Sequence, residues 1–381
     1  MADAAALTQT LVKCPSVTPI EAGTLTIVSE FLSARGFTIE RLDSGEVCNL
    51  YARRGTSSPH LCFLGHTDVV PPGDITRWTV DPFAGEIRDG KLIGRGVVDM
   101  KGAIGAYLAA VDAYLQKDEF KGSLSLLLTT DEEGPAVGGI QQVVAQFKAR
   151  GEKIDACIVG EPTNVEKVGD TVKVGRRGSL NATVTVLGKA GHVGYPHLAN
   201  NPINPLLRYL QDLVSTPLDA GMAHFDASHL EVTSIDVANP TRNVIPSEIS
   251  AKFNIRFNPT QTQGSLTQYL HNKAEEVGLN QGEFTYTLQT QSSGDAFLCE
   301  DEALQRLVCD AVLATTGMTP TLSTSGGTSD ARFMKDLCPV IEFGLVSATA
   351  HQVDEHIAVD EIHRLKAVYE EILRRFFGTE L

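Results

Sequence analysis

Four short runs constrain this chain most: HLCFLG (60–65), SLSLLLTT (123–130), DACIVG (155–160) and VIEFGLV (340–346). A strand with one wet face alternates polar and apolar residues, whereas these runs are apolar almost throughout. Each therefore predicts a strand buried on both faces, in a mostly parallel sheet with helices packed on either side. Helical spacing of apolar residues near 3–14, 21–35, 101–116 and 136–149, and a long amphipathic stretch near 360–377, supply the covering helices. The expected fold class is α/β, with a mostly parallel central sheet flanked by helices.

The texture changes after Gly178. SLNATVTVLG (179–188) and EISAKFNIRF (248–257) alternate like half-exposed strands, helical patterns lie near 204–216 and 264–278, and EFTYTLQT (283–290) follows. The order strand, helix, strand, strand, helix, strand predicts a compact α+β domain of ferredoxin-like type, inserted into the first. Expected boundaries are 1–177 and 292–381 for a discontinuous α/β domain and 178–291 for the insert.

At 381 residues the chain is long enough for two cores. No run of about 18 apolar residues occurs, so no membrane span is expected, and the first residues lack the basic start and apolar stretch of a secretory signal. A net charge of −15 argues against a nucleic-acid partner, which is gripped by clustered Lys and Arg. It leaves room for an anionic small molecule held by a local Arg cluster. Seven scattered cysteines, none spaced C-x-x-C, predict a reducing cytoplasm and no thiolate metal site.

In open α/β sheets ligands gather beyond the carboxyl ends of the strands. His66 and Asp68 follow the first run, Asp131, Glu132 and Glu133 the second, and Glu161 the third. His351 comes shortly after the last, and Asp99 lies in the glycine-flanked GRGVVDMKG. Singly, each acid reads as a helix cap or turn residue, and a Glu–Glu pair as wet surface. Together they make an oxygen-and-nitrogen donor set for metal, without sulfur. In an extended segment residues i and i+2 share a face, so one of His66 and Asp68 can bind metal while the other accepts its second N–H. Glu132 and Glu133 point apart, which suits one metal ligand and one proton carrier. Two divalent ions carry four charges, cancelled by Asp99 as a bridge, one glutamate of the pair, Glu161 and one hydroxide. Such a pair polarises a carbonyl and lowers the pKa of a shared water toward about 7.

The stretches GHTDVV, GRGVVDMKG, TTDEEGP, GEP and the late TAH, in this order, resemble the co-catalytic metallopeptidases of the aminoacylase and carboxypeptidase type, the M20 family. VGRRGSL, GHVGYPHLANNP, TRNVIPSE and STSGGTSDARF are similar to the desuccinylase branch of that family. The resemblance implies a zinc-exopeptidase-like fold and two Zn2+ per subunit, with Co2+ able to substitute. It implies hydrolysis of N-succinyl-LL-2,6-diaminopimelate to succinate and LL-2,6-diaminopimelate, a step of lysine and diaminopimelate synthesis. His66 and Glu161 would bind one zinc and Glu133 and His351 the other, with Asp99 between them. Glu132 would be the proton shuttle, and Asp68 would support His66. The inserted domain would act as lid and homodimer contact, from which His192 reaches the partner's active site and stabilises the oxyanion.

That substrate carries three carboxylates and one ammonium, about −2 in all. Arg176 and Arg256 suit it, because a guanidinium pairs with carboxylate through two parallel bonds. Ser179, Tyr195, Asn243, Gly327 and Thr328 are the further contacts that the resemblance implies. Two positions depart from the family pattern: Ser347 stands where Asn is frequent, and Ala331 where Gly is usual. A sibling deacylase, such as an acetylornithine deacetylase, an aminoacylase or a carboxypeptidase, would keep every metal ligand. A non-catalytic binding protein on the same fold would have lost Glu132 or a ligand.

Overall fold

A computed structural model describes residues 1–117 and 121–378. The chain divides into two compact units, the first comprising 1–175, 299–323 and 329–381, the second 176–298 and 324–328.

The first unit is built on an eight-stranded sheet. In chain order its strands are β1 (Thr38–Arg41), β2 (Asn49–Arg54), β3 (His60–His66), β4 (Ser123–Thr129), β5 (Ala156–Val159), β6 (Thr171–Lys173), β7 (Thr321–Ser323) and β8 (Val340–Glu342). Their order across the sheet is β1-β2-β4-β3-β5-β8-β6-β7. The four central strands, β4, β3, β5 and β8, are mutually parallel. Antiparallel pairings bring in β1 and β2 on one side and β6 on the other. Every residue of β3 and β4 is buried, as expected for strands covered on both faces. Helix α1 (Ala4–Val12) packs on α2 (Gly102–Lys117), and α2 on the C-terminal helix α3 (Val359–Phe376). Phe63 of β3 stacks on Tyr107 of α2 at 4.1 Å and meets Tyr369 of α3 edge-on at 5.6 Å. This aromatic cluster locks the helical layer to the strand that ends in His66.

Because the central strands run parallel, their carboxyl ends share one edge of the sheet. His66 closes β3, residues 131–133 follow β4, Glu161 follows β5, and His351 lies beyond β8. Glycine immediately precedes two of these, for a packing reason. A Cβ on Gly65 would lie 2.6 Å from Cε of Met100, and one on Gly160 would lie 2.6 Å from the same atom. A side chain at either position would force the end of Met100 to move, and at Gly160 also the Phe63 ring, whose Cζ would lie 2.5 Å away.

The second unit is a four-stranded antiparallel sheet, ordered His229–Asp236, Glu248–Phe257, Gly178–Leu187, Thr285–Gly294. The helices Ile203–Ser215 and Gln263–Glu276 complete the expected β-α-β-β-α-β succession. Leu180, Ala182, Val184 and Val186 point into one core with Ile249, Ala251, Phe253, Ile255 and Phe257, against Leu206, Tyr209, Leu213, Leu266 and Leu270 of the helices. Burying each such large aliphatic or aromatic side chain contributes about 1.5–3 kcal/mol. The last strand stays paired as far as Gly294, opposite Ser179, so this sheet extends beyond residue 291. Among the described residues, no helix is long and apolar enough to cross a membrane.

Candidate metal centre

Two donor groups lie at the carboxyl edge of the first unit, and one residue belongs to both. His66, Asp99 and Glu161 form one; Asp99, Glu133 and His351 form the other, with the donor atoms of each group within 4.8 Å of one another. Nε2 of His66 is 3.1 Å from Oδ1 of Asp99 and 3.7 Å from Oε1 of Glu161. Nε2 of His351 is 3.2 Å from Oδ2 of Asp99 and 2.8 Å from Oε1 of Glu133. Two ligands bound tetrahedrally at zinc distances stand about 3.3 Å apart. The four observed separations bracket that value, and the two carboxylate oxygens of Asp99 face opposite groups.

The residues present fit a pair of cations for a second reason. Oε1 of Glu161 is buried without a hydrogen-bond partner, a costly arrangement for a carboxylate. Burial, then Asp99 and Glu132, push the Glu161 carboxyl well above the usual carboxylate range. His351, hydrogen-bonded by Asp99 and Glu133, is raised to about 10. Burial disfavours the charged form of His66, yet Asp99, Glu161 and Glu132 still hold its pKa well above that of free imidazole. The pocket thus gathers protons to offset its carboxylates, which is the charge that bound cations would supply instead.

The hydrogen-bond partners of His66 differ in part from the expectation. Its Nδ1 lies 2.9 Å from the backbone carbonyl oxygen of Asp68 and 3.6 Å from the Asp68 carboxylate. The strand ends at His66, and the carbonyl two residues on becomes the nearer acceptor. Donation from Nδ1 leaves the Nε2 lone pair for a metal. The fully buried Asp68 carboxylate accepts instead from the backbone N–H groups of Glu132 (3.4 Å) and Glu133 (3.1 Å). It therefore orients both glutamates.

Glu132 belongs to neither donor group. It is half-buried, and lost solvation pushes its carboxyl up to about 8, with Asp330, Glu133 and Asp99 adding to the effect and His66 opposing it. An acid poised near neutrality can both take and return a proton. His356, whose place near His351 invites a ligand reading, makes other contacts: its Nδ1 lies 2.7 Å from the Asp354 carbonyl and its Nε2 3.2 Å from Nζ of Lys91. Ser347 donates its hydroxyl to the Asn164 carbonyl at 3.2 Å, and Ala331 is fully buried at the start of a short helix.

Sequence reasoning passed over two buried acids here. Asp330 stands in SDARF, with Oδ1 unpartnered; burial, then Asp68 and Asp131, raise it to about 7 against Arg332 and His66. Glu355, four residues after His351, has no solvent exposure at all. Acids between two histidines in HQVDEH read as surface, and only the three-dimensional packing distinguishes one of them.

The remaining expected residues all lie in the second unit. Nη1 of Arg176 donates to the Gly327 carbonyl at 3.3 Å. Ser179 and Arg256 are direct cross-strand partners, and the Ser179 hydroxyl accepts from Asn254 at 3.0 Å. Burial and the nearby Arg177 hold the Arg256 pKa down, and Nε of Arg177 is buried without a partner. His192 and Tyr195 have ring centroids 5.7 Å apart, and the Asn243 carbonyl accepts from the N–H of Val193. Nδ1 of exposed His192 accepts the Gly194 N–H at 3.0 Å, which places the ring proton on Nε2 as a free donor. Thr328 follows Gly327 in the segment that returns to this unit.

Comparison with known proteins matches residues 62–375 to the model of peptidase family M20/M25/M40. A protein named succinyl-diaminopimelate desuccinylase from Rhodospirillum centenum is 54% identical, over 99% of this chain and 98% of that protein. One of the same name from Methylorubrum populi is 51% identical, over 98% of each. Among solved structures, an M20 family metallo-carboxypeptidase from Sulfolobus solfataricus aligns over 100% of both chains with a TM-score of 0.80 at 18% identity. A Bacillus subtilis protein described as a dinuclear metal binding peptidase from the M20 family aligns over 99% of this chain and 98% of its own, with a TM-score of 0.74 at 14% identity. At such identities these structures speak for the fold.

Proposed function

This chain belongs to peptidase family M20/M25/M40, and on that premise we propose that it hydrolyses N-succinyl-LL-2,6-diaminopimelate to succinate and LL-2,6-diaminopimelate. The observation that carries the reading is Asp99 shared between two donor groups, with an unligated, high-pKa Glu132 beside them. The relatives, more than half identical over nearly the whole chain, supply the substrate.

His66 and Glu161 would hold one Zn2+, Glu133 and His351 a second, and Asp99 both; imidazole and carboxylate donors suit zinc, and Co2+ fits the same set. Bound there, two divalent ions supply a polarised amide carbonyl and an acidified water. Glu132, outside both donor groups, would carry a proton from the attacking water to the departing nitrogen. Asp68 keeps Glu132 and Glu133 in place through their backbone N–H groups. Arg176 and Arg256, with Ser179, Tyr195, Asn243, Gly327 and Thr328, are assigned to the substrate's carboxylates. Two guanidiniums as close as Arg177 and Arg256 repel, and an anion relieves that repulsion. Side-by-side turnover tests the substrate: succinyl-diaminopimelate is expected to exceed acetylornithine by at least about 10⁴-fold, the scale on which an unmatched polar site rejects an analogue. Equal or faster acetylornithine turnover overturns the assignment.

The second unit is proposed as the lid and the contact of a homodimer. Among the described residues its sheet ends in the strand His229–Asp236, which pairs on one side only; Ile235 there, and Leu207 and Val214 on the first helix, are exposed apolar residues suited to a two-fold interface. From it the partner's copy of His192 would donate Nε2–H to the oxyanion. His192→Ala should slow turnover about 10²–10³-fold and leave metal content unchanged. Mixing it with a metal-ligand variant should restore some activity in verified mixed dimers; no recovery there removes the cross-subunit assignment. Seven free thiols accord with a cytoplasmic site of action.

A further inference from the structure

Of the expected metal ligands, Asp99 and His351 are the two that neither end a strand of the eight-stranded sheet nor follow one within four residues. Asp99 rides on the segment between residue 94 and the start of α2, and His351 follows a short turn beyond β8 with φ at 62°, a left-handed conformation uncommon for a side-chain-bearing residue. Neither sits on the eight-stranded sheet; a short antiparallel ladder between Lys91–Ile93 and His356–Ala358 joins the chain on their flanks, and the segments themselves need a further hold.

Glu355 holds the Asp99 segment by direct contact and reaches His351 through Arg95. Its Oε1 accepts the backbone N–H groups of Val98 at 2.9 Å and Asp99 at 3.3 Å. Its Oε2 accepts the N–H of Gly96 at 3.1 Å and Nη1 of Arg95 at 2.7 Å. One buried carboxylate thus fastens three amides of the segment around Asp99. Arg95, almost fully buried, extends the clamp: its Nη2 points at the His351 carbonyl, 3.5 Å away. Gly94 donates its N–H to the Glu355 carbonyl at 2.9 Å, closing the arrangement from the other side. A buried ion pair of this kind is a poor source of net stability. Its geometry serves to fix a loop.

We infer that Glu355 is a positioning residue for the metal pair: through the 96–99 amides and through Arg95 it sets Asp99 and His351. The inference rests on the two-metal reading above. It predicts an asymmetry. His66 and Glu161 are held by strand ends and by the Asp68 carbonyl, so their ion should survive loss of the clamp. The Glu133 and His351 ion depends on both clamped ligands and should weaken first.

The test is titration of chelator-stripped protein with Zn2+ by calorimetry and with Co2+ by visible absorption. Wild type should take two equivalents. Glu355→Gln should keep the near-ultraviolet circular dichroism of the fold and one tight equivalent, with the second weakened about 10–100-fold, as is typical when a partner of a metal ligand is lost. Its turnover number should fall while KM stays within about twofold. Should E355Q fail to fold, Glu355→Asp, which keeps the charge but retracts the carboxylate by one methylene, is expected to weaken the same equivalent. Asp112→Asn breaks an ion pair with Arg35 elsewhere in this unit (2.7 Å) and should leave both equivalents intact. Two equivalents of wild-type affinity in the Glu355 variant, or the same loss in D112N, overturn the inference. Fewer than two in wild type would sink the two-metal reading itself.

Discussion

Glu132→Gln is expected to lower turnover of succinyl-diaminopimelate by about 10²–10⁴-fold, the range of general acid–base catalysis, while both metal equivalents remain bound. The substitution is nearly isosteric and removes only the ability to carry a proton. Metal retention follows from the geometry: Glu132 lies outside both donor groups, and the contacts that place it run from its backbone N–H to Asp68. The carboxyl is pushed up to about 8 by lost solvation and by Asp330, Glu133 and Asp99, a crowding that Gln relieves. Stripped of metal, the variant should therefore be no less stable to heat than the parent. Metal analysis and turnover on one preparation check both halves. Loss of one metal equivalent would mean that Glu132 and Glu133 have exchanged roles.

The parallel centre of the sheet was legible because burial on both faces leaves a run such as HLCFLG no reason to alternate. The strand-end rule then points at His66, Glu161 and the acids after Thr129, since parallel strands deliver their carboxyl ends to one edge. The alternating SLNATVTVLG and EISAKFNIRF likewise disclose a sheet with a single core face, which the helices Ile203–Ser215 and Gln263–Glu276 cover. Less legible was anything settled by a fold-back. The acceptor for His66 is a backbone carbonyl, and main-chain groups leave no mark on a sequence. Glu355 meets Arg95 across 260 positions, and its neighbours in HQVDEH resemble any wet turn. Residues 324–328 cluster with the second unit although both flanks belong to the first, a return that no local pattern announces. Local spacing discloses periodic burial; it is silent about single contacts made across the fold.

Asp99→Asn should have the largest effect on metal. Each oxygen of Asp99 faces a different histidine, Oδ1 toward His66 at 3.1 Å and Oδ2 toward His351 at 3.2 Å, and no other side chain belongs to both groups. An amide carries one good donor atom and no charge, so it cannot serve both sides. The site also loses one of the negative charges that offset four positive ones. The expected result is at most one metal equivalent and turnover lower by more than about 10⁴-fold, beyond what removal of the proton carrier alone produces. Excess Zn2+ should not restore it, because the deficit is a missing donor and not a weakened one. The carboxylate of Asp99, pulled below the usual range by His351 and His66 against the cost of its burial, belongs to the first unit, whereas the second unit's core is built of its own residues. That unit's core should survive unchanged, which a proteolytic or hydrogen-exchange map would show. Two equivalents retained in D99N, with turnover within tenfold of the parent, would remove Asp99 from between the two groups and with it the shared site on which the proposed chemistry depends.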